Sequence, residues 1–178
     1  MKYVRLGTIA LAALVLGAAP AHAQFVHFGL TGGMTFPTGD QADAQNKGYN
    51  GGLLVGFQAP MVPFGLRADV SMHHFPGKDT NVGGTTINAS TNMWMTTANV
   101  TYGLPLPIKP YVIAGMGYYG SVTTVNGVPG STNDKSFGIN GGIGVQFTKL
   151  FMEARWHRIN GDNNTTSTIM PLTVGFMF

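Results

Sequence analysis

The sequence predicts an all-β protein, eight antiparallel strands closed as an up-and-down transmembrane β-barrel. Three observations carry this prediction. Apolar and polar residues alternate with period two along most of the chain, as they do in strands whose two faces meet different surroundings. Only 10% of the 178 residues are charged, where a soluble domain carries roughly 25%. Past the N-terminus no apolar run approaches the ~18 to 20 residues of a membrane helix, so the low charge belongs to strands. Disorder is excluded because 44% of the residues are apolar.

The N-terminus reads as a cleaved signal peptide over 1–23. Lys2 and Arg5 supply the positive start, Leu6 to Leu16 the apolar stretch, and Ala21-His22-Ala23 the small-residue cleavage site. The barrel is then expected over 24–178. Removing Lys2 and Arg5 lowers the formal charge from +3 to +1, and so slight a charge argues no nucleic-acid partner. The chain has no Cys, which excludes disulfides, thiol catalysis and thiolate metal sites in an exported protein.

The strands follow in order. Val26, Phe28 and Leu30 share one face of the first, and Tyr49, Leu53, Val55 and Phe57 one face of the second. In the third, Phe64, Leu66, Ala68, Val70 and Met72 oppose Gly65, Arg67, Asp69, Ser71 and His73. In the fourth, Trp94, Ala98, Val100, Tyr102 and Leu104 oppose Met95, Thr97, Asn99 and Thr101. The fifth, Tyr111 to Val122, alternates more weakly because small or apolar residues fall on both faces. The sixth sets Phe137, Ile139, Ile143, Val145 and Phe147 against Gly138, Asn140, Gly142, Gly144 and Gln146. The seventh sets Leu150, Met152, Ala154 and Trp156 against Glu153, Arg155 and His157. The eighth, Thr168 to Phe178, sets Met170, Leu172, Val174, Phe176 and Phe178 against Thr173 and Gly175.

The connections alternate in length. Ala59 to Pro63, Pro105 to Lys109 and Thr148-Lys149 are short, whereas 37–48, 76–92, 123–134 and 160–167 are longer and polar. Short turns on one rim and long loops on the other are the wiring of outer-membrane barrels. Charge placement agrees. Asp40, Asp43, Lys47, Lys78, Asp79, Asp134, Lys135 and Asp162 lie in the long loops or at their edges, and Lys109 and Lys149 in the short turns. Arg67, Asp69, Glu153 and Arg155 are mid-strand but on the polar face, and Arg158 is placed to reach headgroups near the loop rim. Hydrocarbon imposes this pattern, since an unsatisfied charge there costs several kcal/mol.

On these residues the chain resembles the small outer-membrane β-barrel domain family, the OmpA/OmpX-like, porin-like or opacity-like eight-stranded barrels. The likeness is carried by the leader, Pro63-Phe64-Gly65-Leu66-Arg67-Ala68-Asp69, and Lys109-Pro110-Tyr111-Val112-Ile113-Ala114-Gly115-Met116-Gly117. Gly141-Gly142-Ile143-Gly144, Phe151-Met152-Glu153-Ala154-Arg155 and the strand ending in Phe178 complete it. The resemblance implies fold and place, the outer membrane of a Gram-negative bacterium, more than activity. It also implies that Phe178, Phe176 and Val174 form the signal read by the outer-membrane assembly machinery.

The polar face holds the candidate site: Arg67, Asp69, Glu153, Arg155 and, above them, His157. The third and seventh strands lie opposite in such a barrel. Arg67 and Glu153 are equally high above their turns, as are Asp69 and Arg155, so cross-lumen pairs Arg67–Glu153 and Asp69–Arg155 are expected. The resulting reading is a lumen plugged by side chains, the alternative a narrow pore for ions or very small solutes. A lipid A-modifying enzyme is the remaining class. In lipid A deacylases of this architecture a catalytic His is followed two residues later by Ser, but here that position is Ile159, and His157 reads as lumenal, away from lipid. No catalytic residue is therefore assigned.

No cofactor or metal is expected either. His73 and His74 are adjacent on a strand and point to opposite sides. Gly115-Met116-Gly117-Tyr118-Tyr119-Gly120 matches a dinucleotide fingerprint in letters but has no helix after it. Phe57, Phe64, Tyr102, Phe147, Phe176 and Phe178 gather toward the short-turn rim, with Tyr49, Trp94, Tyr118, Phe137 and Trp156 toward the loop rim. These are the two aromatic girdles of a membrane barrel. Expected partners are outer-membrane lipid and an unidentified extracellular partner met through the four long loops.

Overall fold

The computed structural model describes residues 26–39, 42, 45–59, 62–82, 85–125, 128–129, 134–161 and 165–178. The leader, Asp40, Asp43 and Asp162 lie outside the described residues. The strands are β1 (Val26–Thr38), β2 (Gly48–Gln58), β3 (Phe64–Val82), β4 (Thr85–Gly103), β5 (Ile108–Val125), β6 (Val128–Pro129), β7 (Asp134–Phe147), β8 (Leu150–Asn160) and β9 (Thr166–Met177). β6 is a two-residue return against β5, with Thr124 opposite Pro129. The other eight form one antiparallel sheet in the order β4-β3-β2-β1-β9-β8-β7-β5, and the β4–β5 pairing closes it.

Closure places a backbone partner on both sides of every wall strand, as water-free surroundings require. The last seam is made by β1 and β9, from Gly29 opposite Met177 to Thr38 opposite Thr168. Phe178 prolongs it, its N–H donating to the Phe28 carbonyl at 2.8 Å.

The alternation in the sequence becomes an inside and an outside. All eleven girdle aromatics are exposed, as are the apolar wall residues between them, among them Leu53, Leu66, Val100, Ile143 and Leu172. Phe64 leans on Tyr102 with ring centroids 5.0 Å apart, and Tyr118 meets Phe137 edge-on at 5.7 Å. Among the described residues the exposed Lys and Arg side chains on or beside the wall are Lys47, Lys135, Lys149 and Arg158, all near a rim.

The expected long loops need correcting. Within those segments residues 37–38, 48, 76–82, 85–92, 123–125, 128–129, 134, 160 and 166–167 lie in strands. The segment 76–92 is largely a two-stranded ribbon, paired from Lys78 opposite Ala89 to Val82 opposite Thr85 after a register shift between Phe75 and Lys78. β5 likewise reaches Val125 and pairs with Ala89 of β4. Above the membrane both faces of a strand meet water. Pairing then continues with no apolar alternation to announce it.

Candidate functional site

β3 and β8 are four places apart in a ring of eight strands, hence diametrically opposed. Each leaves a short turn and carries two charges at the same spacing on its inner face, so the charges project into the lumen at equal heights. There they meet. An Arg67 Nη1–H donates to Glu153 Oε2 at 2.9 Å, and Arg155 Nη2 lies 3.2 Å from Asp69 Oδ2.

Two further ion pairs run along the strands rather than across. Arg67 Nε donates to Asp69 Oδ1 at 2.8 Å, and Arg155 Nε to Glu153 Oε1. The four side chains thus form a closed ring in which every carboxylate touches both guanidinium groups. Relative exposures of 9% for Arg67, 8% for Asp69, 3% for Glu153 and 7% for Arg155 put the ring out of bulk water. Burial of this kind requires full pairing, because desolvating an ion costs several kcal/mol.

Neighbouring strands complete the ring with residues that alternation alone does not single out. Asn99, opposite Arg67 on β4, donates to Asp69 Oδ2 at 2.8 Å, and the Tyr111 hydroxyl on β5 donates to Glu153 Oε2 at 2.8 Å. The Arg67 guanidinium lies 4.9 Å from the centroid of Phe151, within cation–π range. Two glycines make room for the aromatics. Gly144 faces Tyr111, and Gly175 faces Phe151, and a Cβ on either glycine would overlap the ring opposite. The signal in the sequence is an inward Gly, but its aromatic partner becomes visible only with the strand register.

Above the ring sits a layer of hydrogen-bonded polar groups. His157 accepts or donates at Nδ1 with the Tyr119 hydroxyl, 2.9 Å away. His73 is held at both nitrogens, by Thr35 Oγ1 at 2.7 Å and Ser71 Oγ at 3.1 Å. The cavity left between these histidines and Asp69 and Arg155 is about 30 Å3, room for about two waters. Phe75, Met93, Met95, Tyr119, Ile159 and Ile169 pack beside and above these histidines as one buried apolar cluster toward the loop end of the lumen, with Met93 opposite His73 and Ile169 opposite His157. Below the ring a vestibule of about 180 Å3, lined by His27, Gln58, Lys109 and Gln146 among others, faces the short-turn rim.

The other candidate residues fall as follows. His74 is half-buried on the outer side, bonded to Asn92 Oδ1 at 2.7 Å and packed on Tyr49, away from His73. Gly115 to Gly120 lie inside β5, with strand on both sides. Among the described residues no group of three His, Asp or Glu is placed to hold a metal ion. Arg158 is exposed on the outer face, opposite Thr168. Val174 and Phe176 are exposed outward on β9, and the Phe176 and Phe178 rings stack at 6.5 Å.

The model of the outer membrane protein beta-barrel domain matches residues 8–178. No curated protein matches the chain. Among solved structures the chain is similar to Neisserial surface protein A, at 15% identity over 85% of this chain and 95% of that one, TM-score 0.61. It is similar also to Ail of Yersinia pestis, the attachment invasion locus protein, solved with the heparin analogue sucrose octasulfate. There the identity is 14% over 86% and 97% of the two chains, TM-score 0.53. The outer membrane enzyme PagL gives 15% identity over 85% and 98%, TM-score 0.52. At such identities the likeness is one of fold, and that fold serves surface proteins and an enzyme alike. With its closed barrel, apolar girdled wall and family match, the chain belongs to the outer membrane protein beta-barrel domain family, and its place is the outer membrane.

Proposed function

We propose that the protein is a non-enzymatic outer-membrane barrel with a side-chain-plugged lumen, acting in envelope structure or surface interaction through the segments above its loop rim. The observation that carries this reading is the closed ring of Arg67, Asp69, Glu153 and Arg155, with the Phe75–Ile169 cluster stacked above it. A water path would have to cross both layers. The vestibule below ends against the ring, where Arg67 lines it.

The chemistry available argues against the enzyme class. A lipid-modifying site must offer its nucleophile or base to the bilayer, whereas His157 is 2% exposed and bonded to Tyr119 inside the barrel. Residue 159, two positions on, is a buried Ile. A surface role is at home on this scaffold, since Ail was solved with a sulfated sugar. In the same reading residues 1–23 are the cleaved export signal, and Val174, Phe176 and Phe178 address the chain to the assembly machinery.

Proteoliposomes test the proposal. Vesicles carrying the refolded barrel should retain a small sugar as long as empty vesicles do, and lipid A from expressing cells should keep its acyl chains. Rapid efflux, or a loss of acyl chains abolished by His157→Ala, overturns the reading.

A further inference from the structure

The inside of the barrel carries a charge that the ring does not cancel. Lys109 stands at the base of β5 on the same side as Tyr111 and the buried Ile113, while Ile108, Pro110 and Val112 are exposed on the other. Its stem lies over Gly103 of β4, where an added Cβ would sit 3.4 Å from both the Cγ and the Cδ of the lysine. The side chain is therefore half-buried at the inner mouth of the barrel. Among the described residues no Asp or Glu carboxylate lies within ion-pair distance of it.

The cavity that Lys109 faces is charged with one sign. The vestibule of about 180 Å3 below the ring is lined by Lys109 and Arg67, with His27 and Thr101 as further polar groups, and by no Asp or Glu. The carboxylates of the ring, Asp69 and Glu153, line the small cavity above it and not the vestibule. Arg67 reaches both. It holds Asp69 through Nε and Nη2 and Glu153 through Nη1, so each terminal nitrogen keeps a second N–H. A cleft with low-dielectric walls and one sign of charge concentrates the field and gathers the opposite ion. A desolvated cation there is costly until it has a partner.

We propose that the vestibule binds a small oxyanion, a phosphate or carboxylate group, entering from the short-turn side. Short turns face the periplasm in barrels of this kind. Lys109 supplies a compact point charge, and Arg67 at the inner end a fork of N–H donors matched to two oxygens. Space limits the size of the ligand. The vestibule has room for about a dozen waters and falls below the ~300 Å3 of clefts for drug-sized molecules. The ring behind Arg67 closes the far end, so the anion is held there and not passed on.

The test uses the refolded full barrel in a phosphate-free detergent, with inorganic phosphate as the probe and its phosphorus NMR line width as the readout. Lys149→Gln is the control. It removes the same charge from the same rim, but Lys149 is exposed and leans on the outward Phe176, 6.0 Å from the ring centroid. Heat-dependent gel mobility reports that each variant has folded. The barrel should broaden the phosphate line at low salt, and Lys109→Gln should weaken binding roughly tenfold through loss of a charge-assisted bond. Lys109→Arg and Lys149→Gln should bind as wild type does. Acetate should displace the phosphate, and acetate without effect overturns the carboxylate half of the proposal. A line left narrow by the wild type overturns the site. Unchanged binding in Lys109→Gln does so too, as does equal weakening in Lys109→Gln and Lys149→Gln, which would report only the net charge of the rim.

Discussion

Arg67 on β3 and Glu153 on β8 lie on opposite walls of the barrel, 86 residues apart in sequence, and meet at 2.9 Å across its lumen. That contact ties together two diametrically opposed strands, four places apart in the ring. It is also half of a ring whose other members, Asp69 and Arg155, repeat the crossing one residue pair higher at 3.2 Å.

The ring's energetics are lopsided. Assembling four buried ions yields little net stability, yet removing one leaves the others uncompensated. Glu153→Gln deprives both guanidinium groups of an anion and is expected to destabilise the barrel by about 3–5 kcal/mol. Replacing all four with Met and Leu should cost less than that single change. Urea unfolding in lipid vesicles, followed by Trp fluorescence, measures both. A loss under ~1 kcal/mol for Glu153→Gln would mean the ring is solvated and carries no such strain.

Tyr111 and Gly144 form a second coupled pair. Tyr111→Phe removes a hydrogen bond to a charged acceptor and should cost about 1.5–3 kcal/mol. Gly144→Ala drives a methyl into the Tyr111 ring, with an expected cost of about 1–3 kcal/mol. In Gly144→Ala/Tyr111→Ala the clash is gone, so the combined loss should fall short of the sum of Gly144→Ala and Tyr111→Ala measured singly. Strict additivity in the double-mutant cycle would show that the two residues do not touch.

These two pairs mark what the sequence made legible and what it did not. The cross-lumen pairing could be read from spacing, because Arg67 and Glu153 stand equally far above short turns on opposed strands. The pairs along each strand could not, since residues two apart on a face choose partners by side-chain reach rather than by register. Asn99 was visible as a polar-face residue but not as a ligand of Asp69. Tyr111 was obscured because β5 carries small or apolar residues on both faces. The β3–β4 ribbon escaped for a different reason. Period two records a boundary between lipid and lumen, and residues 78–82 and 85–89 stand where that boundary has ended.

The wall itself makes a graded prediction. Ile143 is outward at mid-barrel, and Phe147 is outward at the short-turn rim. Ile143→Arg should cost about 2–4 kcal/mol and Phe147→Arg about 0–1 kcal/mol, the depth dependence of a bilayer. Unfolding free energies in vesicles would reveal it. Equal penalties at both positions would contradict the placement of the hydrocarbon zone between the girdles.

Single-channel recording bears most directly on the central claim, that side chains close the lumen. The refolded barrel in a planar bilayer should pass no steady current at moderate voltage, and Arg67→Ala/Arg155→Ala should remain silent because the Phe75–Ile169 cluster still blocks the loop end. Steady openings in the wild type that shift in conductance in the variant would contradict the account and make the charge ring the constriction of a pore.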